Sequence, residues 1–259
     1  YSRWQGKVDL SGPIDDDGTV SYRLTGLART ADTQVEHIPN DRLFAAPALS
    51  WRPSDAPTLT LLGRYQQDET RPSQRLPVSG TLEPNPNGEI PVRRFLGEPG
   101  VDEYDRTQWS ASSLFSHAFN EMWSVEQKTR YYSIDVDDVT VYGTALGDQN
   151  RMLSRALFES FGHLDGLALD NQAQLDVSTG PVAHTVLAGV DVQRIRVTSE
   201  QNSGGAPAID VFDPTYGQEV SEPDPSADEE ISQRQMGVYL QDQLEVYDRW
   251  IATLNGRMD

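Results

Sequence analysis

Trp123-Ser124-Val125-Glu126-Gln127-Lys128-Thr129-Arg130-Tyr131 decides how the rest of the chain reads. In an extended backbone, Trp123, Val125, Thr129 and Tyr131 fall on one side, and Ser124, Glu126, Lys128 and Arg130 on the other. A strand separates these two sets and a helix mixes them, because side chains alternate with period two in one and 3.6 in the other. The alternation recurs outward in both directions. Val20, Tyr22, Leu24 and Ala28 oppose Thr19, Ser21, Arg23 and Thr25, and Leu59, Leu61 and Tyr65 oppose Thr58, Thr60, Arg64 and Gln66. Leu167, Leu169, Ala173, Leu175 and Val177 oppose Asp170, Gln172, Gln174 and Asp176. Met236, Val238, Leu240, Leu244 and Val246 oppose Gln235, Gln241, Gln243 and Glu245. The pattern predicts an all-β chain of about ten strands, near 2–12, 18–30, 46–53, 57–70, 108–119, 122–134, 152–177, 183–197, 232–246 and 249–259. The run 152–177 is long enough to be two strands, with Gly162–Gly166 a turn or bulge between them.

The connections fall into two kinds. Five are tight: Asp15-Asp16-Asp17-Gly18, Arg52-Pro53-Ser54-Asp55-Ala56, Phe119-Asn120-Glu121-Met122, Ser178-Thr179-Gly180-Pro181 and Tyr247-Asp248-Arg249. Four are long, about 31–45, 71–107, 135–151 and 198–231, and the two kinds alternate. A soluble sandwich has no reason to gather every long loop at one end. An antiparallel up-and-down transmembrane β-barrel does, with short periplasmic turns and long extracellular loops. Strand lengths meet the 9–11 or so residues a tilted membrane strand needs. Trp4, Trp51, Trp109, Trp123 and Trp250, with Tyr65 and Tyr131, stand near strand ends, which favours interfacial girdles over sandwich-core aromatics.

Composition sets the outer bounds. The 259 residues carry 21 Lys plus Arg against 40 Asp plus Glu, a net charge of −19, which argues against nucleic acid as a partner. Mean hydropathy is −0.57, too low for a spanning helix but not for barrel strands, whose faces differ. With no cysteine there is no disulfide, thiolate metal site or Cys nucleophile. The start at Tyr1 shows no charged or apolar leader, so a signal peptide is expected to be removed or upstream.

Several segments resemble the TonB-dependent siderophore receptors of the ferrichrome-receptor type. They are Gly12–Gly18 with Tyr22-Arg23-Leu24, Pro47–Pro53, Gly80–Gly88, Asp170-Asn171-Gln172 with Thr179–Asp191, and Gly237–Gln243 followed by Asn255–Asp259. They run in family order over nearly the whole chain. The resemblance implies a barrel of 22 strands around an N-terminal plug, in the bacterial outer membrane. Such a receptor binds a ferric siderophore and imports it with energy from TonB. It further implies that 1–259 is a partial barrel domain, about its first ten strands. The plug, through which TonB acts, and the C-terminal strands would lie elsewhere. The expected partners are the ferric siderophore, TonB, and outer-membrane lipid, with a monomer when complete. Iron enters only as ligand cargo, and no cofactor is expected. A stretch of this kind alone is expected to aggregate or fail to insert stably, because its edge strands would be unpaired.

No catalytic constellation is visible. His37, His117, His163 and His184 are isolated, and no zinc, P-loop, dinucleotide or nucleophile-elbow motif occurs. Asp15-Asp16-Asp17 reads as a turn, and Asp135, Asp137 and Asp138 as the opening of a solvated loop rather than a metal site. The resemblance makes Tyr142, in Thr140-Val141-Tyr142-Gly143-Thr144, a ligand-facing aromatic, and leaves Thr144 where a second is expected. Before the Gly80–Gly88 segment this chain has Ser73 and Arg75 in place of aromatics. Phe212 and Tyr216, in Ile209–Gly217, resemble another ligand-reaching loop. The expected ligand-binding set is therefore Tyr142, Phe212, Tyr216 and Arg75, with loop packing as the alternative for each. Aromatic faces give contact area, and Arg a forked, charged donor set. A secreted all-β glycan-binding or glycan-active module is the alternative function.

Overall fold

The computed structural model describes residues 2–54, 57–72, 75–147, 149–247 and 249–259. Asp55 and Ala56 of the second tight turn, Asp248 of the last, and Ser73 lie outside the described residues. Ten strands follow in order: β1 (Arg3–Pro13), β2 (Val20–Ala31), β3 (Asp41–Trp51), β4 (Thr58–Thr70), β5 (Glu103–Ala118), β6 (Trp123–Leu146), β7 (Met152–Thr179), β8 (Val182–Asp210), β9 (Asp224–Val246) and β10 (Trp250–Met258). Each pairs antiparallel with the next in one meandering sheet, and no described residue is helical.

Register assigns the faces. Leu10 stands opposite Leu24, Leu24 opposite Pro47, Leu49 opposite Leu61, and Val190 opposite Val238. Val20, Leu59, Val125, Leu240 and Leu254 share this apolar face, as expected. Arg23, Arg64, Glu126, Lys128, Gln241 and Arg257 share the other. The 183–197 run alternates poorly and leaves Leu187 or Gly189 as an alternative outward residue to the row Val186, Ala188, Val190 and Val192; the register puts that row on the apolar face and pairs Leu187 and Gly189 with Gln241 and Tyr239 on the polar one. Polar groups on the apolar face bond each other. Gln127 Nε2 donates to Asn171 Oδ1 at 2.9 Å, and His184 Nδ1 lies 3.0 Å from Asp242 Oδ2. Such pairing is what a low-dielectric surrounding demands.

The apolar face has no second protein layer over most of its length. Leu24, Leu61, Trp109, Trp123, Leu167 and Val238 are all exposed, an apolar surface far larger than water tolerates. Its aromatics form two levels. Trp4 pairs with Thr30 and Trp51 with Val20, ten residues apart along β2. At about 3.3 Å per residue and a tilt near 40°, they are separated by about 25 Å, the height of a barrel's lipid-facing band. Tyr65, Trp109 and Tyr131 share the upper level, with the Trp109 and Tyr131 rings 5.2 Å apart.

Turn chemistry explains the short connections. In the first, Gly18 takes φ +68° and Val20 N donates to the Asp15 carboxylate at 2.9 Å. In the third, Asn120 Oδ1 accepts from Met122 N and Trp123 N. At the opposite end the strands run further than expected. β6 continues through Asp135, Asp137 and Asp138, so these do not open a loop, and β8 and β9 extend to Asp210 and from Asp224. β7 is one strand through Gly162–Gly166, and its register shift against β8 falls between Leu153 and Arg155. The long connections therefore shrink to 32–40, 71–102, 147–151 and 211–223. Polar composition mimicked loops there, but ladder hydrogen bonding, interrupted by register shifts at Gly143/Ala145, Leu153/Arg155 and Gln201/Asn202, holds the backbone extended.

Candidate functional site

Nearly all deep burial lies at the end carrying these four connections. Ile90, Leu96, Leu153, Ile209 and Val211 form a core against which Leu76, Leu146, Phe212 and Tyr216 pack. Segment 71–102 folds over the tips of β6–β8, and an ion pair fixes it there. Arg155 of β7 and Glu98 are fully buried, with Arg155 Nη2 3.2 Å from Glu98 Oε2. The remaining donors are satisfied: Nε reaches Pro207 O at 2.6 Å and Nη1 reaches Gly97 O at 2.6 Å. Glu98 Oε1 accepts from Gly217 N at 2.7 Å, bringing in 211–223. Segment 32–40 joins through Glu36, whose amide donates to Arg93 O and whose carboxylate pairs with Arg93 Nε, both at 2.9 Å. Asn85 and Asn87 donate to Asn150 O and Gln149 O, each at 2.8 Å, which ties in the third connection. The result is a clasp of four connections.

Asp102 closes it. Its Oδ1 accepts from Val141 N at 2.8 Å, and Arg71 Nε donates to its backbone carbonyl at 2.9 Å. Burial pushes its carboxyl up to about 6, overriding the hydrogen bonds and Arg155, which act the other way.

The four expected ligand-binding residues separate. Phe212 is half-buried on the core beneath the Arg151 guanidinium, 5.7 Å from its ring, and its carbonyl accepts from Arg94 Nη2 at 3.0 Å. Tyr216 donates from its hydroxyl to Phe95 O at 2.7 Å and meets the His37 ring edge-on at 5.1 Å. Burial raises its phenol above the ordinary range. Both rings are engaged in loop packing. Tyr142 is exposed on β6, opposite in facing to the fully buried Val141 and on the row of Arg130 and Tyr132. Arg75 is exposed in 71–102. Sequence reading missed Glu98, Asp102 and Arg155, and no local spacing marks a pair 57 residues apart. Among the described residues, no group of three or more His, Asp or Glu is arranged to hold a metal ion.

Comparison with known proteins follows this geometry. The family described as TonB dependent receptor-like, beta-barrel matches residues 50–259. The chain belongs to that family. It is 36% identical over 252 residues to the ferrioxamine B receptor of Salmonella typhimurium, covering 97% of this chain and 36% of that protein. It is 32% identical over 284 residues to the ferrichrome outer membrane transporter/phage receptor of Escherichia coli K12, covering 100% and 38%. The crystal structure of the ferric-catecholate import receptor Fiu from E. coli K12 superposes with a TM-score of 0.82 at 19% identity, covering 98% of this chain and 42% of that one. The chain thus spans about a third of the length of the curated relatives it matches. As part of an outer-membrane barrel wall of this family, its apolar face meets lipid and its polar face the lumen. The glycan-module reading falls with this assignment, because lipid accounts for the uncovered apolar face.

Proposed function

We propose that the chain forms part of the wall and mouth of an outer-membrane receptor that binds a ferric siderophore and imports it with energy from TonB. The observation that carries this reading is the two-faced sheet closed at one end by an interlocked clasp. A polar, aromatic-bearing inner row then runs beneath a preformed mouth, and no bond-making chemistry is required of it. The relatives named for ferrioxamine and ferrichrome support a ferric hydroxamate as the ligand class. Tyr142 is the ligand-contacting aromatic of this chain, with Arg75 beside the mouth, and Phe212 and Tyr216 shape the mouth from behind. Iron is cargo.

The test is uptake of radiolabelled iron as ferric trihydroxamates by an iron-starved, receptor-null strain carrying the receptor of which this chain is part. Uptake that depends on TonB is expected. Tyr142→Ala should weaken ligand binding by about 1–3 kcal/mol, as for a buried aromatic anchor. Unchanged binding would return Tyr142 to wall packing, and absence of any ferric uptake would overturn the proposal.

A further inference from the structure

The lipid-facing row holds a polar pair at mid-height. Gln127 stands midway along β6 between Trp123 and Tyr131, in register with Phe115 of β5, Asn171 of β7 and, through Asn171, Val190 of β8. Gln127 Nε2 donates to Asn171 Oδ1 at 2.9 Å. Each carboxamide keeps a group unspent: among the described residues neither Gln127 Oε1 nor Asn171 Nδ2 has a partner. This row faces away from the lumen, so nothing housed there reaches it. Acyl chains offer no hydrogen bond, and an amide group left bare in hydrocarbon is costly. Around the pair the surface is hollow. Phe115, Val125, Ala173, Ala188 and Val190 surround the two amides in a groove of about 530 Å³. Ala173 and Ala188 stand opposite each other in register, and their small side chains leave that side of the groove open.

We infer that a second copy of the receptor docks on this groove within the membrane, related by a two-fold axis that runs along the membrane normal between β6 and β7. Rotation about that axis sets β6 of one copy against β7 of the other, so Gln127 and Asn171 meet across the contact. Asn171 Nδ2 of each copy donates to Gln127 Oε1 of the other. With the bond inside each copy, the four amides close a ring in which each donates once and accepts once. The same rotation brings β5 opposite β8, so Phe115 of one copy enters the hollow at Ala188 of the other. In lipid, apolar surface alone gives no preference for protein over acyl chains; small residues that permit close approach and amides that bond across do. A two-fold contact uses one patch twice, and a self-complementary amide pair is what a second copy offers and a lipid tail lacks. The contact is reversible. Where copies are sparse the same row meets lipid, and the monomer implied by the resemblance is that dilute form.

The experiment is energy transfer between donor- and acceptor-labelled populations of the full-length receptor, mixed in bilayers at falling receptor-to-lipid ratio. Both populations carry the label on Leu82→Cys, a position exposed in 71–102. Transfer in the otherwise unaltered receptor should exceed that of randomly placed barrels and fall on dilution. Gln127→Leu with Asn171→Leu removes the ring and should need at least a fivefold higher ratio for the same transfer. Ala188→Trp fills the hollow, leaves the amides in place and should act in the same direction. Transfer no higher than random placement, which would leave the groove to lipid, overturns the inference. So does unchanged transfer in an amide variant that keeps its heat-modifiable mobility. If the amide variant loses that mobility, Ala188→Trp decides by the same ratio. Equal transfer to an acceptor-labelled, unrelated outer-membrane barrel would make the contact unspecific and likewise overturn it.

Discussion

Arg155 and Glu98 carry the heaviest local burden in the molecule. A buried pair with every donor matched is near neutral against an apolar replacement, whereas removal of one partner leaves an uncompensated charge. Glu98→Gln should therefore destabilise the clasp by about 3–5 kcal/mol, read as protease cleavage within 71–102 under conditions where wild type resists. Asp102 makes the clasp sensitive to pH. Its folded pKa of about 6 lies above the unfolded value of 3.8, so the fold binds this proton more tightly than the unfolded chain does. The stabilisation is complete below about pH 4 and lost as pH rises through 6. Protection of 71–102 from protease should fall between pH 5 and 7.5. Asp102→Asn, which keeps an acceptor for Val141 N, should flatten that dependence, and an unchanged slope would assign it to other groups. None of these three residues was legible in the sequence, because long-range packing alone brings Glu98 and Arg155 together. Tyr142 entered through the family resemblance alone, in a stretch that reads as a loop, and its place on β6 shows only in the register. For Phe212 and Tyr216 the sequence left ligand contact and loop packing side by side, since a loop aromatic looks the same whether it faces ligand or core, and the structure shows both rings packed.

At the scale of elements, alternation predicted the count of ten strands and the facing of β2, β4, β6, β7 and β9. Errors gathered where alternation fades. The upper reaches of β8 and β9 are polar on both faces and that of β6 opens with Asp135, Asp137 and Asp138, so they read as loop, and β8 at 183–192 is apolar on one row with Leu187 intruding on the other. The register resolves that strand through a close approach. Tyr239 lies flat over Gly189 on the lumen side, where an added Cβ would come within 2.2 Å of its ring, and its hydroxyl donates to Asp170 Oδ1 at 2.7 Å. Gly189→Val should displace the ring, break that bond and destabilise the wall by about 1–3 kcal/mol, as overpacking does. A lowered temperature for losing heat-modifiable mobility on gels would show it. An unshifted transition would mean that the ring has room to move.

For the whole molecule, one sheet serves two solvents. Lipid takes the place of a second layer on the apolar face, and among the described residues the buried apolar core is that of the clasp at the outer end. A net charge of −19 is compatible with this because few charged side chains stand on the lipid-facing rows between the aromatic levels. No cysteine within these 259 residues competes with a label placed on the sheet. The most direct measurement is a nitroxide scan of positions 123–131 in the full-length receptor in lipid bilayers, recording collision with oxygen and with a water-soluble nickel chelate. Oxygen accessibility should peak at Val125, Gln127 and Thr129 and dip at Glu126, Lys128 and Arg130, with period two. A flat profile, or one with the two sets exchanged, would contradict the assignment of this sheet as a lipid-facing wall.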